Sequence, residues 1–321
     1  MGPVFQFATE EREENSPLKN RRLSAGYSLL KKFIKALLVL GLIIEPTNAQ
    51  SLVFVGDGGN PADMNGKGGI GYSYWIGKYE ITISEYTTFL NSAAKTDNYA
   101  LWYGSVMDIQ RTGVSGNYQY TSGANGSTPV TWVNWFDAAR YVNWMHNGAS
   151  INADTENGAY TLNGATSGLV TKNSGAKYWL PNFDEWYKAA FYDPNKNTSG
   201  GYWSYATKSD SVNSSQANYQ SSGPSVVGAF GITSAYGTYD QSGNVAEWIS
   251  PDSISSTKFV GGGWNTNESY LNKDANASSE NGGYTDGGIG FRIASSVPEP
   301  SALSLLAVGL GGLAIMRRRR S

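Results

Sequence analysis

The sequence predicts a mixed fold of short helices and short strands set in long, ordered loops. Three observations point there. Charged residues make up only 16% of the 321 residues while Gly, Ser, Asn, Tyr and Trp abound, a composition suited to short strands and loops rather than long helices. Three segments read as a strand running into a capped helix. Between and after them lie turn-rich stretches studded with aromatics, whereas disordered segments are poor in aromatics.

The elements follow in order. Tyr72 to Tyr79 alternates as a strand. Thr82 or Ser84 then caps a helix that puts Tyr86, Phe89 and Leu90 on one face. Residues 96–128, carrying Tyr99, Trp102, Tyr103, Tyr118 and Tyr120, read as an ordered insertion. Pro129 to Asp137 passes from strand to helix, with Asn134 as N-cap and Asp137 in the first turn. Ala138, Tyr141, Val142 and Met145 keep helical spacing, and Asn147-Gly148 ends the helix. His146, the one histidine, reads as a dipole partner or surface residue rather than a ligand or base.

Residues 149–176 read as loop with one hairpin around Tyr160 to Gly164. Tyr178 to Ala190 is the third passage. There Asn182 and Glu185 form a capping-box pattern, and Trp186, Ala189 and Ala190 face the core. The tryptophans read as core rather than as a ligand box. Residues 193–235 are loop-rich. Lys258 to Trp264, a polar segment over 265–288 and a closing strand at 290–294 complete the chain.

Both ends read as addressing segments. In residues 1–49, Lys31-Lys32 precede an apolar run from Phe33 to Ile44, and Thr47-Asn48-Ala49 offers a small-residue cleavage site, as in a signal peptide with a long leading region. A membrane anchor is the alternative, for which the run is short. Residues 50–71 form a Gly-rich opening segment and 72–295 the folded domain. The tail, 296–321, joins Val297-Pro298-Glu299-Pro300 to an apolar helix over 301–316 and Arg317–Arg320, which stay cytoplasmic. A plain C-terminal anchor is the alternative here. On either reading, residues 50–296 lie outside the cytoplasm, with membrane contact through the tail.

The leader holds 7 basic and 5 acidic residues and the tail 4 and 1, leaving 13 basic and 20 acidic residues between them. A net charge of −7 there argues against nucleic acid, which needs a basic footprint. With no cysteine, the domain is held by its core, which roughly 250 residues can build.

One stretch, Tyr236 to Trp248, carries the clearest chemistry. Asp240 and Glu247 converge if Ser242-Gly243-Asn244 folds the backbone back. Two carboxylates with inward carbonyls suit a hard cation such as Ca²⁺. A solvated surface turn is the alternative.

Six ordered pieces resemble the formylglycine-generating enzyme (sulfatase-modifying factor) family: Lys78 to Thr82, Pro129 to Trp144, Leu180 to Ala190, Asp240 to Trp248, Gly261-Gly262-Gly263-Trp264 and Gly290-Phe291-Arg292. The resemblance implies an irregular α+β, C-type-lectin-like fold of short helices and twisted antiparallel strands over 72–295. It implies a structural calcium at Asp240, Gly243, Val245 and Glu247, the family's second calcium site, and matches the family's other calcium site only in part, at Ala217-Asn218 and Tyr219. The family's copper-binding cysteine pair falls on Thr266 and Leu271, neither a thiol, so no copper is expected. One histidine builds neither an iron site nor a catalytic triad, and Asp184/Glu185 point to different helix faces, unlike a glycosidase pair. The tail resembles a PEP-CTERM sorting signal, which implies an exosortase partner and the surface or matrix of a Gram-negative bacterium. The expected function is a noncatalytic binding or structural protein. Its candidate ligand face comprises Trp264, Asn265, Asn267, Tyr270, Asn272 and Tyr284, with Asn276 beside them, where lectin-like relatives bind; polysaccharide or a surface protein suits it. A divergent sulfatase modifier or other oxidoreductase is the alternative.

Overall fold

Arg292 and Ile293 carry the chain from one four-stranded sheet to another, and the rest of the domain is hung on those two sheets. The computed structural model describes residues 50–251 and 257–296. The first sheet has the order β1-β2-β12-β5, from β1 (Leu52–Val55), β2 (Tyr74–Gly77), β12 (Ala294–Ser296) and β5 (Tyr178–Trp179), all antiparallel. The second has the order β10-β9-β8-β11, from β10 (Ser278–Glu280), β9 (Thr257–Val260), β8 (Ala246–Ile249) and β11 (Ile289–Phe291). Only β8 and β11 run parallel there, with Glu247 opposite Gly290. The opening segment 50–71 is thus part of the fold, since β1 pairs with β2 along its whole length.

Among the described residues three α-helices complete this frame: α1 (Ile83–Ala93), α2 (Trp135–His146) and α3 (Phe183–Phe191). Each begins with a full capping box, Thr82/Glu85, Asn134/Asp137 and Asn182/Glu185, in which the cap side chain accepts from N3 and the N3 carboxylate accepts from the cap N–H. Thr82, not Ser84, is the cap of α1. Tyr86, Phe89 and Leu90 are fully buried as their spacing requires. The middle helix is buried on every side from Trp135 to Met145, so its polar residues need partners. Arg140 pairs with Glu156 at 2.7 Å and lies over the Tyr99 ring, and the Asn143 amide serves the backbone of Thr155 and Tyr160.

The insertion is ordered as composition requires. It holds a hairpin of β3 (Ile109–Thr112) and β4 (Gln119–Ser122), with Arg111 clamped between Trp102 and Tyr118. A further small pair, β6 (Tyr192–Asp193) and β7 (Gly201–Tyr202), follows α3. Around Tyr160, single bridges replace the expected hairpin. His146 is half-buried; its Nδ1 accepts from the Lys177 N–H, and burial lowers its pKa, so it serves as a neutral acceptor rather than a cationic dipole partner. Trp135, Trp144, Trp186 and Trp248 are core residues. Among the described residues no helix is long and apolar enough to cross a membrane; the runs 33–44 and 301–316 lie outside the described residues.

Candidate functional site

The acidic turn folds back as the sequence requires. Asp240 (φ 63°), Gly243 (φ 110°) and Asn244 (φ 61°) all take left-handed backbone. Gly243 has no substitute, because a Cβ there would lie 2.5 Å from the Asn218 carbonyl. Asn244 then locks the turn: its N–H donates to Asn218 O, its carbonyl accepts from Trp264 N, and its amide donates to Glu80 Oε1 at 3.0 Å.

Glu247, expected to ligate calcium, is committed elsewhere. Its two oxygens accept from Arg292 Nη2 and Nε, each at 2.6 Å, and Oε2 also accepts from Trp186 Nε1 at 2.7 Å. Arg292 also donates to the carbonyls of Gly77 and Tyr239. Asp240 Oδ2 accepts from the Gly228 N–H at 2.6 Å. Glu80 is fully buried, and its Oε2 has no hydrogen-bond partner, with Arg292 Nη2 3.9 Å away. Burial, reinforced by Asp240, pushes the Glu80 carboxyl well above its usual range; burial also lifts Asp240 to about 6.

Asp240, Gly243, Val245 and Glu247, the expected calcium ligands, would have to share the Glu247 carboxylate with Arg292. A cation would face a buried guanidinium already bidentate on the essential carboxylate. Among the described residues, no group of three or more His, Cys, Asp or Glu side chains is placed to hold a metal. Asn218, from the partly matched other site, spends its side chain on Ser221, Gly223 and Asn244.

Thr266 and Leu271, which the resemblance sets against the family's thiols, carry other chemistry. Leu271 is fully buried beside Tyr205 and Ala217. The Thr266 hydroxyl both accepts from and donates to the Gly263 backbone.

The predicted face is on the surface but does not converge on one point. Tyr270 is 50% exposed and lines a small notch with Asn272 and Asn276, floored by Phe183, Trp186 and Tyr187. Asn267 caps the turn Glu268–Tyr270 through the Ser269 N–H. Trp264 is a staple: its backbone bonds Asn244 and Ser221, and its indole N–H donates to Gly287 O at 3.1 Å. Asn265 lies against Gly288, and Tyr284 is exposed near Asp286.

Sequence reasoning missed a cavity beside this face. Trp132 sits at φ 61°, a backbone conformation that costs a bulky residue about 1–3 kcal/mol. Its N–H donates to Asp286 O, its ring stacks parallel on Tyr103 with centroids 5.6 Å apart, and the ring packs on Gly287. Trp132 and Trp264 therefore meet at Gly287, which a Cβ would bring to 3.1 Å from the Trp132 ring. Trp132 also borders an open cavity of about 280 Å³. Nothing in the run Pro129 to Val133 distinguishes a strand residue from one turned left-handed.

A family profile described as the sulfatase-modifying factor enzyme 1-like domain matches residues 67–297, and the PEP-CTERM protein-sorting motif matches 296–320. Among solved structures the chain is similar to Treponema denticola variable protein 1, at 19% identity over 77% of this chain and 95% of that one, with a TM-score of 0.52. It is also similar to CarF, at 20% identity over 78% and 99% of the two chains, with a TM-score of 0.50. At such identities the likeness concerns the fold alone. No curated protein matches the sequence.

Proposed function

Because this chain belongs to the sulfatase-modifying factor enzyme 1-like family and ends in a PEP-CTERM motif, we propose that it is a noncatalytic, ligand-binding protein displayed outside the cell. The sorting motif marks it for export and for an exosortase-type system acting at the C-terminus. One observation carries the noncatalytic reading. Where the oxidising relatives carry their thiol pair, this chain places a buried Leu271 and a Thr266 hydroxyl spent on its own backbone. Neither side chain offers a soft ligand or a thiol nucleophile.

What the segment offers instead is contact surface. Tyr270 and Tyr284 stand out from it, and the Asn272 and Asn276 amides share a notch with Tyr270. Rigid aromatics with adaptable amides suit recognition of a matrix polysaccharide or a surface protein. The test is capture from native matrix, with glycan-array binding in parallel, by wild type and by Tyr270→Ala and Tyr284→Ala. The expected result is a partner retained by wild type and weakened about tenfold or more by at least one substitution. Capture indifferent to both rejects this face. Turnover in an oxygen-consumption assay with added copper or iron would reinstate the enzyme reading.

A further inference from the structure

We propose that the cavity bordered by Trp132 is a binding subsite for one neutral sugar ring of a glycan chain. The inference rests on the reading that the protein binds a ligand outside the cell, and it names a place apart from the face from Trp264 to Tyr284 and narrows the glycan to a neutral ring.

The lining sets the chemistry. Val106, Pro129 and Trp132 give an apolar wall; Asp108, Asn125 and Thr131 give polar groups. Among the described residues, the Asn125 amide and the Thr131 hydroxyl have no hydrogen-bond partner within the protein, so both are free to serve a ligand. Asp108 is held by the Asn125 N–H at 2.9 Å and keeps acceptor capacity. A pyranose has the matching pattern, with C–H groups on its faces and hydroxyls at its rim. No lysine, arginine or histidine lines the cavity and one carboxylate does, which disfavours an anionic ligand. The volume, about 280 Å³, lies at the small end for ligand pockets, which fits one ring of a longer chain.

The backbone gives an independent reason. Trp132, a bulky residue, takes left-handed backbone at φ 61°. Strain of this kind in a bulky residue collects where the surrounding structure holds a side chain for contact. Tyr103, 54% exposed and parallel to Trp132, extends the aromatic wall to the surface, where neighbouring sugar units would lie.

The experiment titrates the purified full-length chain with neutral hexasaccharides of glucose, mannose and galactose, and with polygalacturonate as an anionic control. Binding is read by calorimetry and by tryptophan fluorescence. Asn125→Ala and Thr131→Val remove polar groups with no internal partner. Trp132→Asn removes the ring while keeping a residue that tolerates φ near 60°. The expected result is binding of at least one neutral hexasaccharide, weakened about tenfold by each substitution with the thermal midpoint preserved in the first two. Preference for polygalacturonate, or neutral-glycan binding unchanged in all three variants, overturns the proposal. So does a failure to bind any neutral hexasaccharide while Tyr270 and Tyr284 still capture a partner, which leaves the face reading standing. Binding that needs Asn125 and Thr131 but neither tyrosine supports this subsite and removes the face.

Discussion

Asp137 shows what a single buried residue does here. It is the N3 member of the α2 capping box, accepting from the Asn134 N–H at 2.9 Å, yet its second oxygen is buried without a partner. Burial lifts its carboxyl to about 7 despite Arg140 and the cap hydrogen bond. A carboxyl whose folded pKa is raised stabilises the fold below its unfolded pKa and loses that contribution as pH rises through the folded value. Between about pH 4 and 7, ionising Asp137 therefore costs up to about 4 kcal/mol. Asp137→Asn keeps the cap acceptor and cannot ionise. Its midpoint should lose much of the wild-type decline between pH 4 and 7; an unchanged slope in chemical denaturation across that range would contradict this. Asp137's place in the first turn was legible from sequence, because caps are local. Its burial was not, because that depends on the loops packed around α2.

At the scale of elements, the three strand-to-helix passages were legible for the same local reason, as each carries its cap and its apolar spacing within about a dozen residues. The pairing of Glu247 with Arg292 was not, since 45 residues separate them and only the parallel register of β8 and β11 sets them together. Seen in sequence, Asp240 and Glu247 read as two ligands for a cation; in the fold, Arg292 fills that role for Glu247. Truncating it as Arg292→Ala strands a buried carboxylate, at a cost of about 3–5 kcal/mol, which lowers the midpoint on the order of 10 °C for a domain of this size. Glu247→Leu with Arg292→Met should cost less than the two single changes added together. By the same geometry, calcium or a chelator should leave the wild-type midpoint unchanged. A rise with calcium would mean that Glu247 exchanges Arg292 for the ion, and would restore the cation site.

At the scale of the whole molecule, charge sets the kind of partner. Residues 50–296 hold 13 basic and 20 acidic residues, and several of the cations are spent internally: Arg292 on Glu247, Arg140 on Glu156, Arg111 on Asp97, Lys196 on Asp210. Lys188 is buried against the Asp57 carbonyl, where burial lowers its pKa to about 8. Such a surface has little with which to hold a polyanion, whose binding runs on displaced counterions and collapses with salt. What it presents is aromatic and amide surface, at Tyr103, Tyr270 and Tyr284, whose contacts are short-range. Recognition of a neutral glycan by such groups should therefore change by less than about twofold between about 0.05 M and 0.5 M salt, over which the screening length falls severalfold. Calorimetry at the two salt concentrations measures this directly. A steep loss of affinity would show that charged groups carry the binding, and the partner would then have to be sought among cationic or anionic chains rather than neutral ones.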